Sequence, residues 1–221
     1  MTKKTSKDLL IVKACGIASE DDECKNIATQ AGMYGIEVDM VSPKTSDDLI
    51  AALNSGKKYD YLYLSSHGDI NGVCNHSKSI QMSWFELGLQ LCGSMCMKEN
   101  CILMLSCCRG GLNQIAYDLF YCCMKIAYIV GPRQNLPAQD MLIAFNILLY
   151  NVAYRQLDPV VAAEKIRLAT DIRFVCFDQL EIQGEYGYWA HTAQYAQEMI
   201  DESVQAKEKA NELIIPNDKP L

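Results

Sequence analysis

Residues 101–111, CILMLSCCRGG, join a continuous apolar run to a turn that contains two cysteines and two glycines. An apolar run without alternation is typical of a strand that is buried on both faces, as in the middle of a parallel sheet. The two glycines permit a tight turn into the helical pattern that follows. We therefore predict that residues 101–106 form the central strand of a parallel sheet.

Other β-rich runs lie on both sides of this strand in the sequence and alternate with helical patterns. The predicted strands cover residues 8–15, 36–41, 60–65, 101–106, 125–130 and 172–177. The predicted helices cover residues 19–31, 46–53, 83–91, 113–122 and 138–154, and another begins after Asp158. Strands that alternate with helices are characteristic of α/β folds. The pattern thus predicts a mostly parallel six-stranded sheet that is covered by helices.

The helix predicted over residues 138–154 is apolar on every side, so we expect it to be buried. From Tyr188 the pattern changes to that of an amphipathic helix. Its apolar positions recur at helical spacing: Trp189, Ala193, Ala196, Ile200 and Val204. Because no repeat or linker divides the chain, we predict one domain, with its body over residues 1–185 and a C-terminal helix and polar tail over residues 186–221.

The composition is that of an ordinary globular protein, since 50% of the 221 residues are hydrophobic and 21% are charged. The net charge of -7 argues against non-specific binding to nucleic acid or to anionic membranes. The apolar stretch 141–154 is too short to span a bilayer, and the N-terminal residues do not resemble a signal peptide. These features predict a cytoplasmic protein.

Eleven cysteines are present, and a cytoplasmic protein is expected to keep them as thiols. The spacing closest to that of a metal site is found at Cys92, Cys96 and Cys101. Because the sequence contains no Cys-x-x-Cys pair, we interpret these three residues as small buried side chains rather than as zinc ligands. We expect neither a metal nor another cofactor.

Two polar segments follow predicted strands and contain the residues best suited to chemistry. Residues 64–69, LSSHGD, end the third strand, and residues 105–111, LSCCRGG, end the fourth. In open α/β sheets, sites form just beyond the carboxyl ends of the strands. If these two strands are neighbours, His67 and Cys108 face one crevice.

A cysteine between a strand and a helix lies near the positive end of the helix dipole, which lowers the pKa of a thiol, and Arg109 would act in the same direction. His67 could serve as general base and then as general acid. The N–H groups of Gly68 and Cys108 could stabilise an oxyanion. Neighbouring side chains of a strand point to opposite faces, so we assign the nucleophile to Cys108 and expect Cys107 to be buried with a protonated thiol.

Each of these residues also has a purely structural interpretation. A cysteine at a strand end is more often a core residue than a nucleophile, and a histidine before a glycine is often a turn residue. The combination, at the ends of two strands, is harder to explain structurally than either residue alone. His76, in a polar loop predicted over residues 66–81, and His191, on the C-terminal helix, are interpreted as solvated side chains.

Residues 66–68, SHG, and 107–110, CCRG, resemble the motifs of the caspase-like cysteine peptidases, the clan that includes metacaspases, separases and bacterial CHAT domains. Further similarity to CHAT domains is found at residues 59–62, 128–131, 140, 145 and 158–163. The resemblance covers roughly residues 8–180 and implies a three-layer α/β/α sandwich. It also implies a cysteine endopeptidase in which His67 and Cys108 form the catalytic dyad and peptide bonds are hydrolysed through a thioester.

The resemblance bears on the protein substrate as well. Arg133 would suit an acidic side chain before the cleaved bond, whereas Asp140 or Asp69 would suit a basic one, which is the preference we expect. CHAT domains often carry Trp-x-Val after the fifth strand, where this chain has PRQN at residues 132–135. The specificity of the family is therefore not carried over.

Regulation by self-cleavage is not expected. Between the fourth and fifth predicted strands there is no long polar linker of the kind that caspase zymogens cleave. We also expect that a chain of this length has no room for the sensor modules to which many CHAT domains are fused. The resemblance therefore implies activation by a partner protein, by a small-molecule ligand or by self-association into a homo-oligomer. Bacterial relatives usually act in defence, including antiviral defence, or in cell death, so such a role is implied here.

Two other functions are open. A protein of caspase-like fold could be a catalytically inactive binding or scaffold protein. A nucleotide-binding domain is the third alternative, but no Gly-x-Gly-x-x-Gly follows the first strand and no phosphate-binding Gly-Lys-Ser/Thr is present. One cysteine that reacts faster than the others with a small electrophile would favour the peptidase over the scaffold.

Overall fold

Six strands form the main sheet of the computed structural model, which describes residues 6–183. The strands of these residues are β1 (Lys7–Lys13), β2 (Ile36–Val41), β3 (Tyr59–Ser65), β4 (His67–Gly68), β5 (Gly72–Cys74), β6 (Gln81–Ser83), β7 (Met97–Ser106), β8 (Ile126–Pro132) and β9 (Phe174–Asp178). The helices are α1 (Ala18–Met33), α2 (Ser46–Leu53), α3 (Trp84–Ser94), α4 (Asn113–Cys122), α5 (Ala138–Leu149), α6 (Pro159–Thr170) and α7 (Gln179–Gln183), with a π-helical turn at Tyr150–Tyr154.

The main sheet has the order β2-β1-β3-β7-β8-β9. Within this sheet every neighbouring pair is parallel except β8 and β9. The predicted α/β class and the mostly parallel six-stranded sheet are therefore confirmed. The central position of β7 is confirmed as well, because every residue from 101 to 107 is at most 7% exposed.

Helices cover both faces of the main sheet. On one face α5 contacts both α1 and α6, and these helices cover every second residue of the strands, such as Tyr63 and Met104. The alternate positions, such as Leu103 and Leu105, are equally buried and point to the opposite face, where α2, α3 and α4 pack together. This arrangement is compatible with a three-layer α/β/α sandwich.

The segment predicted as a polar loop, residues 66–81, contributes most of a second sheet of three short antiparallel strands in the order β4-β5-β6, which ends at Ser83. Its strands are two or three residues long, too short to produce a visible alternation of polar and apolar residues. The close approach of β5 to β6 requires glycine, since a Cβ on Gly72 would lie 2.1 Å from the carbonyl oxygen of Met82. The loop prediction was therefore wrong for these strands.

The predicted starts of two helices are confirmed by their capping contacts. The Ser83 hydroxyl accepts the Glu86 N–H, and the Glu86 carboxylate accepts the Ser83 N–H, which together form a capping box at α3. The Asp158 carboxylate accepts the Val160 N–H at the start of α6, and Pro159 occupies the first helical position.

The helix predicted over residues 138–154 departs from the expectation in two respects. It ends as an α-helix at Leu149, and its last five residues are π-helical. It is also exposed along one side, where Ile143 is 49%, Tyr150 is 40% and Tyr154 is 62% exposed. The physical reason is that α5 packs against the sheet, α1 and α6, which leaves the remaining side to solvent.

Some predictions fall outside the described residues. The C-terminal helix and tail over residues 186–221, with His191, belong to this part of the chain. Among the helices of residues 6–183, none has the length and apolar character needed to cross a membrane.

Candidate active site

The carboxyl ends of β3 and β7 lie side by side. Ser65 and Ser106, the last residues of these strands, are register partners, and the Ser66 N–H donates a hydrogen bond of 3.2 Å to the Ser106 carbonyl. His67 and Cys108 each follow this matched pair by two residues. The prediction that the two strands are neighbours is thus confirmed, and the loops that carry His67 and Cys108 leave the sheet at the same level.

Gly68 packs against the turn that follows β7. A Cβ at position 68 would lie 2.8 Å from the carbonyl oxygen of Cys108 and 2.9 Å from the sulfur of Cys107. Side chains do not tolerate such distances, so only glycine permits this approach of the two backbones. The residue after His67 is therefore in direct contact with both cysteines of the turn.

The two adjacent cysteines have different environments. Cys107 is 1% exposed, and burial raises the pKa of its thiol. Cys108 is half-buried, and its sulfur lies 3.9 Å from the carbonyl oxygen of Leu136. Cys107 is therefore buried with a protonated thiol, as predicted, and Cys108 is the accessible member of the pair.

The turn after Cys108 is fixed to the end of β8. Arg109 has a left-handed backbone with φ 62°, and its N–H donates to the Gln134 carbonyl over 3.2 Å. The Gly111 N–H donates to the Pro132 carbonyl over 2.8 Å. A Cβ on Gly111 would lie 2.4 Å from the Gly131 carbonyl oxygen, so this glycine is needed for the contact. The backbone around Cys108 is consequently held by the neighbouring strand.

The two N–H groups predicted to bind an oxyanion are not used by the surrounding secondary structure. Asp69 and Gly72 are a hydrogen-bonded pair, with 3.1 Å between the Asp69 nitrogen and the Gly72 oxygen. Hydrogen-bonded and non-hydrogen-bonded pairs alternate along antiparallel strands, so the N–H of Gly68 points away from β5. The Cys108 N–H makes no hydrogen bond with any residue between 6 and 183.

His67 lies beside a second imidazole. The ring centroids of His67 and His76 are 6.1 Å apart, and the His76 N–H donates to the Cys15 carbonyl over 2.8 Å. His76 is exposed, in agreement with its interpretation as a solvated residue, but its position near His67 is a feature that the sequence did not indicate. The sequence gives no signal of this nearness, because the fold of the second sheet, rather than sequence spacing, brings the two rings together.

His67 and Cys108 are not joined by a hydrogen bond in the described part of the chain. The Cys108 thiol instead contacts Leu136, in the connection between β8 and α5. Hydrogen bonds between catalytic groups are often long without a substrate and shorten in the complex. The arrangement therefore provides a thiol and an imidazole on adjacent loops, and their direct contact stays a prediction.

The residues predicted to bind substrate lie on three separate segments. Asp69 is in the turn between β4 and β5, where its carboxylate accepts two backbone N–H groups over 2.7 and 3.1 Å. Arg133 follows β8, donates to the side chain of Asn113 and lies 6.0 Å from the centre of the Phe177 ring. Asp140 is in the first turn of α5. Asp69 and Arg133 thus have partners within the fold, and substrate binding by all three residues stays a prediction.

Two buried acids beneath the site were not found from the sequence. Glu20 and Glu23 of α1 are 4% and 6% exposed. The Glu20 carboxylate accepts two backbone N–H groups from the turn between β1 and α1, each over 2.8 Å. One carboxylate oxygen of Glu23 accepts the hydroxyl groups of Tyr63 and Ser106. Their spacing of three residues on one helix face was the available signal, but the surrounding acidic residues made the segment resemble a solvated helix start.

The cysteines considered as zinc ligands do not form a cluster. Cys96 and Cys101 are buried as predicted, but Cys92 is exposed on α3, so its predicted burial was wrong. The reason is that Cys92 lies on the solvent side of α3, in line with the exposed residues Phe85 and Leu89. Among residues 6–183, no three His, Cys, Asp or Glu side chains are arranged to hold a metal ion.

Comparison with known proteins does not assign the chain to a family, because no family model and no curated protein matches it. The candidate site therefore rests on the geometry of this chain. That geometry consists of two matched strand ends, one accessible thiol of an adjacent pair and an imidazole on the neighbouring loop.

Proposed function

We propose that the protein is a caspase-like cysteine endopeptidase in which Cys108 is the nucleophile and His67 is the general base and acid. The observation that carries the proposal is the register of Ser65 and Ser106, because it starts the loops of His67 and Cys108 from the same level of two adjacent strands. The similarity of residues 66–68 and 107–110 to caspase-like motifs supports it. A central β3-β7 pair in a mostly parallel sheet is compatible with that fold.

In the proposed reaction, His67 accepts the proton of the Cys108 thiol, and the thiolate attacks the carbonyl carbon of the scissile peptide bond. The N–H groups of Gly68 and Cys108 stabilise the oxyanion of the tetrahedral intermediate. Protonated His67 then donates its proton to the leaving amine, and the acyl group stays on Cys108 as a thioester. A water molecule that His67 deprotonates hydrolyses the thioester and restores the thiol.

The proposed specificity is for a basic residue before the cleaved bond. Two contacts support this preference over an acidic residue. The guanidinium of Arg133 already interacts with Asn113 and Phe177, which lowers its availability to a carboxylate. Of the two candidate acids, Asp69 uses its carboxylate to hold a turn, so Asp140 is the proposed partner of a basic side chain.

Activation is proposed to depend on a partner protein, a small ligand or self-association. Supporting evidence is the short connection between α4 and β8, which consists of residues 123–125 and offers no long linker for self-cleavage. We propose a cytoplasmic enzyme. A role in bacterial antiviral defence or cell death follows from the resemblance alone.

The proposal is tested by expressing the chain with its genomic neighbours and identifying new protein N-termini in the cell. Parallel cultures express Cys108→Ala, His67→Ala and the matched control Cys107→Ala. The expected result is a set of new N-termini that share a residue before the cut and that are lost with Cys108→Ala and His67→Ala but kept with Cys107→Ala. Equal sets of termini in all four cultures would reject peptidase activity and favour a scaffold.

A further inference from the structure

The Glu23 carboxylate lies beneath the candidate site and has no role in the reaction described above. Glu23 is 6% exposed on α1. Its Oε1 atom accepts the hydroxyl of Tyr63 over 2.5 Å and the hydroxyl of Ser106. Tyr63 is on β3 and Ser106 is on β7, so one carboxylate oxygen joins the two strands that lead to His67 and Cys108.

These hydrogen bonds lie near the carboxyl ends of both strands, close to where the loops of His67 and Cys108 begin. Ser106 is the last residue of β7 and precedes Cys108 by two positions. Tyr63 precedes Ser65, the register partner of Ser106, by two positions on the same face of the sheet. Glu23 therefore contacts both strands at the level where their loops begin.

Glu20, one helical turn before Glu23, makes an analogous contact with the third neighbouring strand. Its carboxylate accepts the N–H groups of Cys15 and Gly16, which follow β1, each over 2.8 Å. Because β1, β3 and β7 are adjacent in the sheet, α1 holds the carboxyl ends of three consecutive strands through two acids. The network therefore lies at the end of the sheet from which the loops of His67 and Cys108 leave.

A buried carboxyl group stabilises a protein core less than an apolar side chain of similar size does. Burial of a carboxylate costs free energy unless hydrogen bonds compensate for the lost water, and a buried apolar side chain avoids this cost. At Glu23, burial raises the pKa of the carboxyl, although the hydrogen bonds from Ser106 and Tyr63 oppose the increase. An acid at this position is therefore better explained by the two strands that it fixes than by stability.

We propose that Glu23 is a positioning residue for the candidate dyad. By accepting hydrogen bonds from β3 and β7 at once, it holds the loops of His67 and Cys108 in the relative arrangement in which the imidazole takes the thiol proton. This inference rests on the proposed function for its consequence in catalysis. Glu23 acts through Tyr63 and Ser106 and does not itself contact the substrate.

The test measures the rate at which iodoacetamide alkylates Cys108 near neutral pH, resolved from the other cysteines by peptide mass spectrometry. The variants are Glu23→Leu, which removes the acceptor, and Glu23→Gln, whose amide oxygen still accepts both hydroxyl groups. Tyr63→Phe and Ser106→Ala remove one donor each. Ile27→Ala, at a fully buried position one turn further along α1, is the matched control that lowers stability without a hydrogen bond.

The expected result is a decrease of about tenfold or more in the Cys108 alkylation rate with Glu23→Leu, because small displacements of reacting groups have large kinetic effects. Glu23→Gln should restore the rate to within about twofold of the parent, and Tyr63→Phe and Ser106→Ala should give intermediate rates. Ile27→Ala should lower the melting temperature but leave the rate unchanged. If Glu23→Leu does not fold, Tyr63→Phe and Ser106→Ala carry the same test.

Three outcomes would overturn the proposal: a parental rate in folded Glu23→Leu, a rate in Glu23→Gln as low as in Glu23→Leu, or an equal decrease in Ile27→Ala. His67→Ala in the same assay reports on the proposed function separately. A normal Cys108 rate in His67→Ala rejects the dyad, whatever the Glu23 variants do. A low rate in His67→Ala with a parental rate in Glu23→Leu rejects only the positioning role.

Discussion

Gly68 and Cys107 are in such close contact that a Cβ at position 68 would lie 2.9 Å from the Cys107 sulfur. The residue that follows His67 is thus packed against the residue that precedes Cys108. The relative placement of the candidate base and nucleophile depends on this contact between the Gly68 backbone and the Cys107 side chain, in addition to the register of β3 and β7. Glycine is required at this contact because any side chain would separate the two loops.

Gly68→Ala is expected to separate the loop of His67 from the loop of Cys108. The added methyl group must displace both the Cys107 side chain and the Cys108 carbonyl, and overpacking of this kind costs about 1–3 kcal/mol of stability. Displacement of the dyad should reduce proteolysis by about 100-fold. Urea denaturation and the count of new protein N-termini measure the two effects.

The matched control for this substitution is Gly93→Ala on α3. A Cβ at position 93 meets no atom within 4 Å, and alanine favours a helix. The control should leave proteolysis unchanged and keep or slightly increase the stability. Parental proteolysis in Gly68→Ala would show that the contact with Cys107 does not position the site.

Substitution of the two adjacent cysteines should have opposite consequences. Cys108→Ala is expected to reduce proteolysis by about a thousandfold or more, as loss of a nucleophile does in other covalent enzymes. Cys107→Ala leaves a small cavity and should cost on the order of 1 kcal/mol of stability, with proteolysis largely kept. Loss of proteolysis in Cys107→Ala but not in Cys108→Ala would mean that the nucleophile is misassigned by one residue.

The stability of the fold should depend on pH through Glu23. Burial raises the pKa of this carboxyl above its ordinary value of 4.5. The folded chain therefore binds the proton more tightly than the unfolded chain, so the stabilisation is complete below pH 4.5 and is lost as the pH rises through the folded-state pKa. Glu23→Gln does not titrate at this position.

The free energy of unfolding of the parent minus that of Glu23→Gln should accordingly decrease between about pH 4 and neutrality. Urea denaturation at a series of pH values measures this difference. Acids remote from Glu23 titrate alike in both chains and cancel, whereas the nearby Glu20 carboxylate raises the pKa of Glu23 and remains part of the difference. A difference that is constant, or that increases with pH, would show that Glu23 is ionised at least as easily in the folded chain as in the unfolded one.

Arg133→Ala should affect stability more than specificity. The guanidinium donates to Asn113 and lies over the Phe177 ring, and the loss of a hydrogen bond from a charged group costs about 1–3 kcal/mol. Cleaved sites should keep the same residue before the cut. A change of that residue in Arg133→Ala would instead assign Arg133 to substrate recognition.

The main sheet could be predicted from sequence because its strands carry strong local signals. The run 101–106 is apolar at consecutive positions, and it is central and buried in the structure. The boundaries of β2, α2 and α4 agree with those predicted, and α2 begins at a capping box formed by Thr45 and Asp48. The signals at these elements are local, so tertiary contacts were not needed to interpret them.

The second sheet and the acids beneath the site could not be predicted in this way. His67 and Gly68 form a two-residue strand, which is shorter than any periodicity can show. Glu23 lies among exposed acidic residues, and its burial depends on hydroxyl groups 40 and 83 residues away along the chain. The residues of the dyad were found because each follows a strand, whereas the residues that support them are connected only through the fold.

The assignment of Cys108 and His67 can be examined by treating the native protein with limiting iodoacetamide and measuring the alkylation of each of the eleven cysteines. Cys92 is an internal reference because it is exposed, whereas Cys108 is half-buried. We predict that Cys108 reacts faster than Cys92 in the parent, and that His67→Ala lowers its rate to that of Cys92 or below. Faster reaction of Cys92 in the parent, with a Cys108 rate that is unchanged in His67→Ala, would contradict the dyad.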